Sequence, residues 1–393
     1  MYTSQAFSKV RFSALYFFML LCFILGAPLQ ITGLLTPTET NYLAISLLVV
    51  CFTFRKKVHL GRSAMAMIVL FMYVAFISIF YKSPVSYLLV YCYYLLCPVL
   101  VFRAGKMLSQ KITLSPKAII TYCNYFLLVQ MLFAIVQVVA GEQIASFSKV
   151  PMFAIDAVSG TFFIKSDASL AMFALLVVLT AFSLGVSARL KFLSAFISIA
   201  IIFLTNSKAI QGLTIVIIPS VLFYSGFLQG RFAIGKRLLV FILLMIALAL
   251  LMPMIVDALN ELLGVFQDAY YSRYKSDSAS RLAPVGEAIY SDFYWIGKGL
   301  LSYYNPLSKS WDYYSGFSLI YAFYLDCGFI GLFLITYFFM VFTIENIRDN
   351  FYRAAYFCCI VCFSTFTLIV TDLPFLFALS FFYFIHKKES INS

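Results

Sequence analysis

Residues 64–102 read AMAMIVLFMYVAFISIFYKSPVSYLLVYCYYLLCPVLVF: two apolar runs, 64–80 and 85–102, joined by Tyr81, Lys82, Ser83 and Pro84, with Lys82 the one charge in the whole stretch. Each run is too long for a strand and close to the about 20 residues that a helix needs to cross hydrocarbon. Runs of the same kind recur along the chain, and together they predict twelve spans, near 12–35, 41–54, 64–80, 85–102, 118–140, 168–186, 190–205, 209–227, 238–256, 316–342, 354–370 and 373–385. Three of them (41–54, 190–205 and 373–385) are short for a bilayer, so one could be a half-span or re-entrant piece.

Composition points the same way. Of 393 residues, 63% are hydrophobic and 11% charged, against about 45–50% and about 25% in ordinary soluble domains. One globular core could not hide that excess. A soluble enzyme, a disordered chain and a disulfide scaffold are excluded, and a membrane barrel would show shorter alternating strands with much lower hydropathy. The fold class expected is all-α, a polytopic membrane helical bundle, with 1–393 as a single integral membrane domain and 257–315 as one large outer loop inside it.

Charge orients the bundle. With the N-terminus inside, the inner segments hold 19 of the 28 basic residues, in clusters such as 55–62, 103–117 and 231–237, but only Glu345, Asp349 and Glu389 of the 16 acids. That asymmetry predicts N-in and C-in topology. The net charge of +12 therefore reflects insertion, and no nucleic-acid partner is expected. The first span reads as an uncleaved signal anchor because its apolar run is long and many spans follow. All nine cysteines fall within spans, where no disulfide is expected; Cys358, Cys359 and Cys362 have no His or acid beside them and read as packing residues.

Polar residues gather in two outer segments. The first, 141–167, runs GEQIASFSKVPMFAIDAVSGTFFIKSD. The second, 257–315, is the only long amphipathic stretch, and a loop of that length usually carries function or structure of its own. Its start places Leu259, Leu262, Leu263, Phe266 and Tyr270 at helical spacing, a stripe that could lie on the membrane surface or pack on the bundle. Ser280 can cap a short helix from Arg281, Gly297 and Gly299 mark a turn, and Tyr303, Tyr304, Trp311, Tyr313 and Tyr314 form an aromatic cluster. Such a cluster could stack on sugar faces, or anchor the chain at headgroup depth.

Ionisable groups inside spans are costly, about 2.5–3.5 kcal/mol each on insertion scales, and are functional candidates by default. Asp326 lies about ten residues into the tenth span; Lys208, in LTNSKAIQG, sits at an outer junction; Asp167 and Asp372 sit at outer span ends. The only histidines, His59 and His386, fall on the inner side, so no outer-face reaction can use imidazole as its base. No Walker loop, zinc pattern or H-E-x-x-H occurs, and neither cofactor nor metal is expected.

Three segments, in order, carry a resemblance: SGTFFIKSDASLA at 159–171, LTNSKAIQG at 204–212, and SRLAPVGEAI through WIGKG at 280–299 followed by YLDCGFIGL at 324–332. The chain resembles the Wzy-type O-antigen and capsule polysaccharide polymerases, members of a superfamily that includes the O-antigen ligases and has a GT-C-like glycosyltransferase architecture. The matches correspond to a Gly-x-Phe segment, a basic junction with Lys208 at the usual Arg position, and an arginine helix, Gly-x-Gly turn and acid-x-Gly-x-x-Gly span. Lys keeps the charge at 208 but loses the bidentate fork. The ligases have a functional His in the long outer loop, where this chain has Asp312 and tyrosines; that difference favours polymerase over ligase.

The resemblance implies a metal-independent membrane glycosyltransferase of polysaccharide (lipopolysaccharide or capsule) biosynthesis, in the bacterial inner membrane with its site facing the periplasm. A growing glycan would pass from undecaprenyl pyrophosphate to the sugar of a new lipid-linked repeat unit. Partners implied are the lipid-linked oligosaccharide, the bilayer, a chain-length regulator and a flippase. Cations would stabilise the leaving pyrophosphate more as its charge grows. Arg281 is the first choice, through its two-bond grip on phosphate; the structural alternative pairs it with Glu287 or Asp277. Lys208 is second, and Arg273 and Lys275 are outer clamps. Asp312 is the first choice of base, with Glu287, Asp326 and Asp167 as alternatives, while the tyrosine and tryptophan cluster would bind sugar. The competing expectations are an O-antigen ligase acting on lipid A core, and a lipid-linked oligosaccharide flippase or other transporter. No similar halves are evident, which counts against the second.

Overall fold

The computed structural model describes residues 2–52, 61–149, 158–163, 167–225, 293–301 and 318–392, and among these every regular element is helical. Helix α1 (Tyr2–Leu20) passes through a π turn (Leu21–Leu25) into α2 (Gly26–Ile31), and α3 (Pro37–Phe52) returns. Then come α4 (Arg62–Phe80), α5 (Val85–Lys111), α6 (Pro116–Val139), the short α7 (Gly141–Phe147), α8 (Asp167–Ser183), α9 (Ala188–Leu204) and α10 (Lys208–Phe223). After segment 293–301 the chain continues through α11 (Leu319–Asn346), α12 (Asn350–Phe366) and α13 (Leu373–Asn392).

Among the described residues, five helical stretches are long and apolar enough to cross a membrane: Val10–Ile31, Arg62–Phe80, Val85–Lys111, Pro116–Val139 and Leu319–Asn346. The protein is a helical membrane protein. Helices occupy eleven of the twelve stretches expected as spans; the ninth, 238–256, lies outside the described residues, as do most of 257–315 and its expected surface helix.

Local chemistry explains where the helices start. Thr36 and Glu39 form a reciprocal cap on α3: the Thr36 N–H and hydroxyl donate to the Glu39 carboxylate at 2.8 and 2.9 Å, and the Glu39 N–H donates back to the hydroxyl at 3.2 Å. Those bonds hold the exposed Glu39 carboxyl below its ordinary range. Asp349 caps α12 by accepting from the N–H groups of Phe351 and Tyr352.

Packing explains where the helices end. Helix α5 runs nine residues past the end of the expected apolar run at 102 because it lies along α13, the most extensive helix contact among the described residues. Gly105 permits this approach: a Cβ there would sit 2.0 Å from the Ser380 hydroxyl. Helix α13 likewise extends its 13-residue apolar run to 20 residues. Helix α8 is the centre of the bundle. Every side chain from 170 to 182 is buried, and α8 touches α6, α9, α10, α12 and α13, as a helix apolar on all sides must.

Candidate functional site

Helix α11 is broken at Gly328, whose φ of 72° and ψ of −172° leave the helical region. The break removes the ladder bonds that the N–H groups of Phe329 and Ile330 would give to the carbonyls of Leu325 and Asp326. Segment 293–301 replaces all four groups. Phe329 and Ile330 donate to the carbonyls of Tyr294 (2.8 Å) and Trp295 (3.3 Å), while Lys298 and Gly299 donate to the carbonyls of Leu325 (2.8 Å) and Asp326 (3.1 Å). The carbonyl of Cys327 accepts instead from the Tyr73 hydroxyl at 2.8 Å. A stretch of chain is thus inserted into the hydrogen-bond ladder of a helix. Non-helical backbone at membrane depth is tolerated only when its polar groups are satisfied in this way.

Glycine makes the insertion possible. A Cβ at Gly297 would lie 2.5 Å from the Asp326 carbonyl, and one at Gly328 would lie 2.3 Å from the Trp295 oxygen. Both residues have positive φ, 84° and 72°, so two requirements, space and conformation, fall on the same positions.

Asp326 sits at this junction and is completely buried. Its Oδ2 accepts from the Tyr91 hydroxyl at 2.7 Å and from the Leu301 N–H at 3.1 Å. The Tyr81 hydroxyl at the top of α4 donates to the Gly297 carbonyl at 2.7 Å. Helices α4 and α5 therefore clamp the same turn that α11 receives. The WIGKG and YLDCGFIGL segments, separated by more than twenty residues, form one structure.

The Gly-x-Phe segment is anchored in a parallel manner. Gln130 and Gln137, seven residues apart on α6, each pair with one residue of the loop. Gln137 accepts from the Gly160 N–H and donates to its carbonyl, both at 2.7 Å. Gln130 accepts from the Thr161 N–H at 2.8 Å and donates to its hydroxyl at 2.7 Å. The Thr161 hydroxyl in turn reaches the Phe23 carbonyl in the π turn of the first helix, and a Cβ on Gly26 would strike Phe163 at 2.4 Å. The expected uninterrupted first span, 12–35, is thus a helix with a π turn that stops at Ile31. Pro28, which cannot donate and whose ring crowds the carbonyl of Ile24, lies just beyond that turn.

Asp372 lies in the connector between α12 and α13. It accepts from the Ser169 hydroxyl, in the DASLA start of α8, and from the Phe375 N–H. Burial pushes its carboxyl up to about 6, against the lowering effect of those two bonds.

Lys208 begins α10 after a turn in which Asn206 has a φ of 53°. Its side chain is exposed, and no hydrogen bond or ion pair joins it to Asp326. Asp167 is the first residue of α8. Arg273, Lys275, Arg281, Glu287, Tyr303, Tyr304, Trp311, Asp312, Tyr313 and Tyr314 lie outside the described residues. His386 is at the far end of α13 from Asp372, where its Nε2 meets the hydroxyls of Ser183 (3.0 Å) and Tyr356 (3.2 Å).

The residues that the sequence reading missed are Tyr73, Tyr81, Tyr91, Gln130 and Gln137. Gln130 and Gln137 did carry a signal, since two amides a heptad apart in an apolar run must find partners. The three tyrosines carried none, among 27 in the chain. No protein-family model matches the chain, and no curated protein matches it.

Proposed function

We propose that this chain is a Wzy-type polysaccharide polymerase, a metal-independent membrane glycosyltransferase of the bacterial inner membrane. It transfers a growing glycan from undecaprenyl pyrophosphate to the sugar of a new lipid-linked repeat unit at the periplasmic face. The reading includes twelve spans, N-in and C-in, and a GT-C-like arrangement. One observation carries it: the inserted turn at Gly297–Gly299 and the break at Asp326–Gly328 are two sequence-distant parts of the resemblance that meet. A helix whose ladder is given up to hold a turn also fixes Leu301, whose N–H is bound to Asp326, and Ser318 caps the same helix. Loops that position reacting groups need such rigid supports.

In this reading Arg281 and Lys208 grip the departing diphosphate and lower the barrier as its charge develops. Asp312 takes the proton of the acceptor hydroxyl, the Tyr and Trp cluster holds the sugars, and Arg273 and Lys275 clamp from outside. Asp326, one of the alternative bases, acts in this reading as a support. With Tyr91 and the Leu301 N–H on one oxygen, it positions the loop.

The test is purified protein with lipid-linked repeat units alone, read as a ladder on a gel: growth of polymer supports the proposal, and its absence with properly flipped substrate refutes it. The broken helix favours one second reading, a transporter, because discontinuous helices are common at transport sites. Movement of lipid-linked oligosaccharide across vesicles with no change in glycan length would select that reading. An O-antigen ligase would instead attach glycan to lipid A core.

A further inference from the structure

A groove of about 800 Å³ runs between α1, α6 and α13, and its lining is almost wholly apolar. Its lips are Tyr16, Phe17 and Tyr122, each 59–61% exposed. The far wall is formed by Phe23, Phe126, Phe173 and Phe377, whose rings meet at 5.5–6.1 Å. From Ser13 on α1 to Ile24 in the π turn the groove is about 16 Å long at the helical rise of about 1.5 Å per residue. That is about the depth of one leaflet, half of a hydrocarbon core of about 30 Å.

The near end is basic. Ile112 lines the groove, and its carbonyl accepts from the Lys388 ammonium. The Lys111 ammonium lies 4.6 Å from the centre of the Phe12 ring, next to Ser13 at the groove entrance. Lys117 follows at the start of α6. Apolar length with cations at one end is the complement of a single ligand type. We propose that the groove binds an acidic phospholipid of the bilayer, its acyl chain between α1 and α13 and its phosphate between Lys111 and Lys388. Basic pockets between membrane helices recognise acidic headgroups in this way. The Phe wall packs on its other side against Phe162 of the SGTFF loop.

Delipidated protein in detergent, titrated with phosphatidylglycerol and with phosphatidylcholine of the same acyl chains, tests this by native mass spectrometry. Phosphatidylglycerol is expected to bind on the order of 25-fold more tightly, at about fivefold for each of the two lysines. Lys111→Gln with Lys388→Gln removes the preference but not the binding. Leu20→Trp, which fills the groove, weakens both lipids alike. Equal binding of the two lipids by the native protein overturns the proposal. So does a Lys111→Gln, Lys388→Gln protein that retains the preference, which keeps the test decisive if the Trp variant fails to fold.

Discussion

Two single residues decide the shape of the junction at α11. Gly328 holds a positive φ against a carbonyl 2.3 Å from where a Cβ would be. Gly328→Ala should therefore cost roughly 2–5 kcal/mol, from backbone strain and overpacking together. The expected result is little folded protein in the membrane fraction, measured by fluorescence-detected gel filtration of a tagged chain. Tyr91→Phe removes one donor from a buried acid while keeping the ring, and a loss of about 1–3 kcal/mol in stability in detergent is expected. A neutral outcome there would mean that Asp326 does not depend on the phenol. The aspartate was legible as a costly group in an apolar run. Its role was not, because its partners come from α5 and from segment 293–301, which no local pattern links to it.

At the scale of elements, a polar side chain in one helix replaces secondary structure in the next. Gln137 serves Gly160 as a strand would, giving one backbone bond and taking one, while Gln130 takes the Thr161 N–H and gives to the Thr161 hydroxyl. Gln137→Leu strands the N–H and the carbonyl of Gly160, so a loss of about 1–3 kcal/mol is expected, with faster protease cleavage between 148 and 163 as the readout. Unchanged cleavage would rule out the anchoring role. The start of α13 depends on Asp372, which is easier to protonate in the folded chain than when unfolded. Its folded value of about 6 lies above an ordinary value of 3.8. Its contribution is therefore fully present below pH 4 and is lost as pH rises through 6. The thermal midpoint of Asp372→Asn should vary less than that of the native protein between pH 4 and 6.

At the scale of the whole molecule, the function proposed places cationic groups on the long outer segment and a rigid support beneath it. Arg281→Ala, inserted at native levels, is expected to abolish long polymer while leaving single repeats, read on the same ladder gel; long polymer from that variant would remove Arg281 from the mechanism. The sequence by itself determined that the chain lives in a bilayer and that its helices fall where the apolar runs fall, because hydrocarbon admits only backbone that bonds to itself. It also marked Asp326 as a costly charge and Gly297 and Gly299 as a turn. Only the tertiary structure decided that the first helix takes a π turn, that α5 and α13 outrun their apolar segments, and that a turn enters the ladder of α11. Those outcomes depend on which groups meet across distant parts of the chain, and hydropathy is a property of each segment alone.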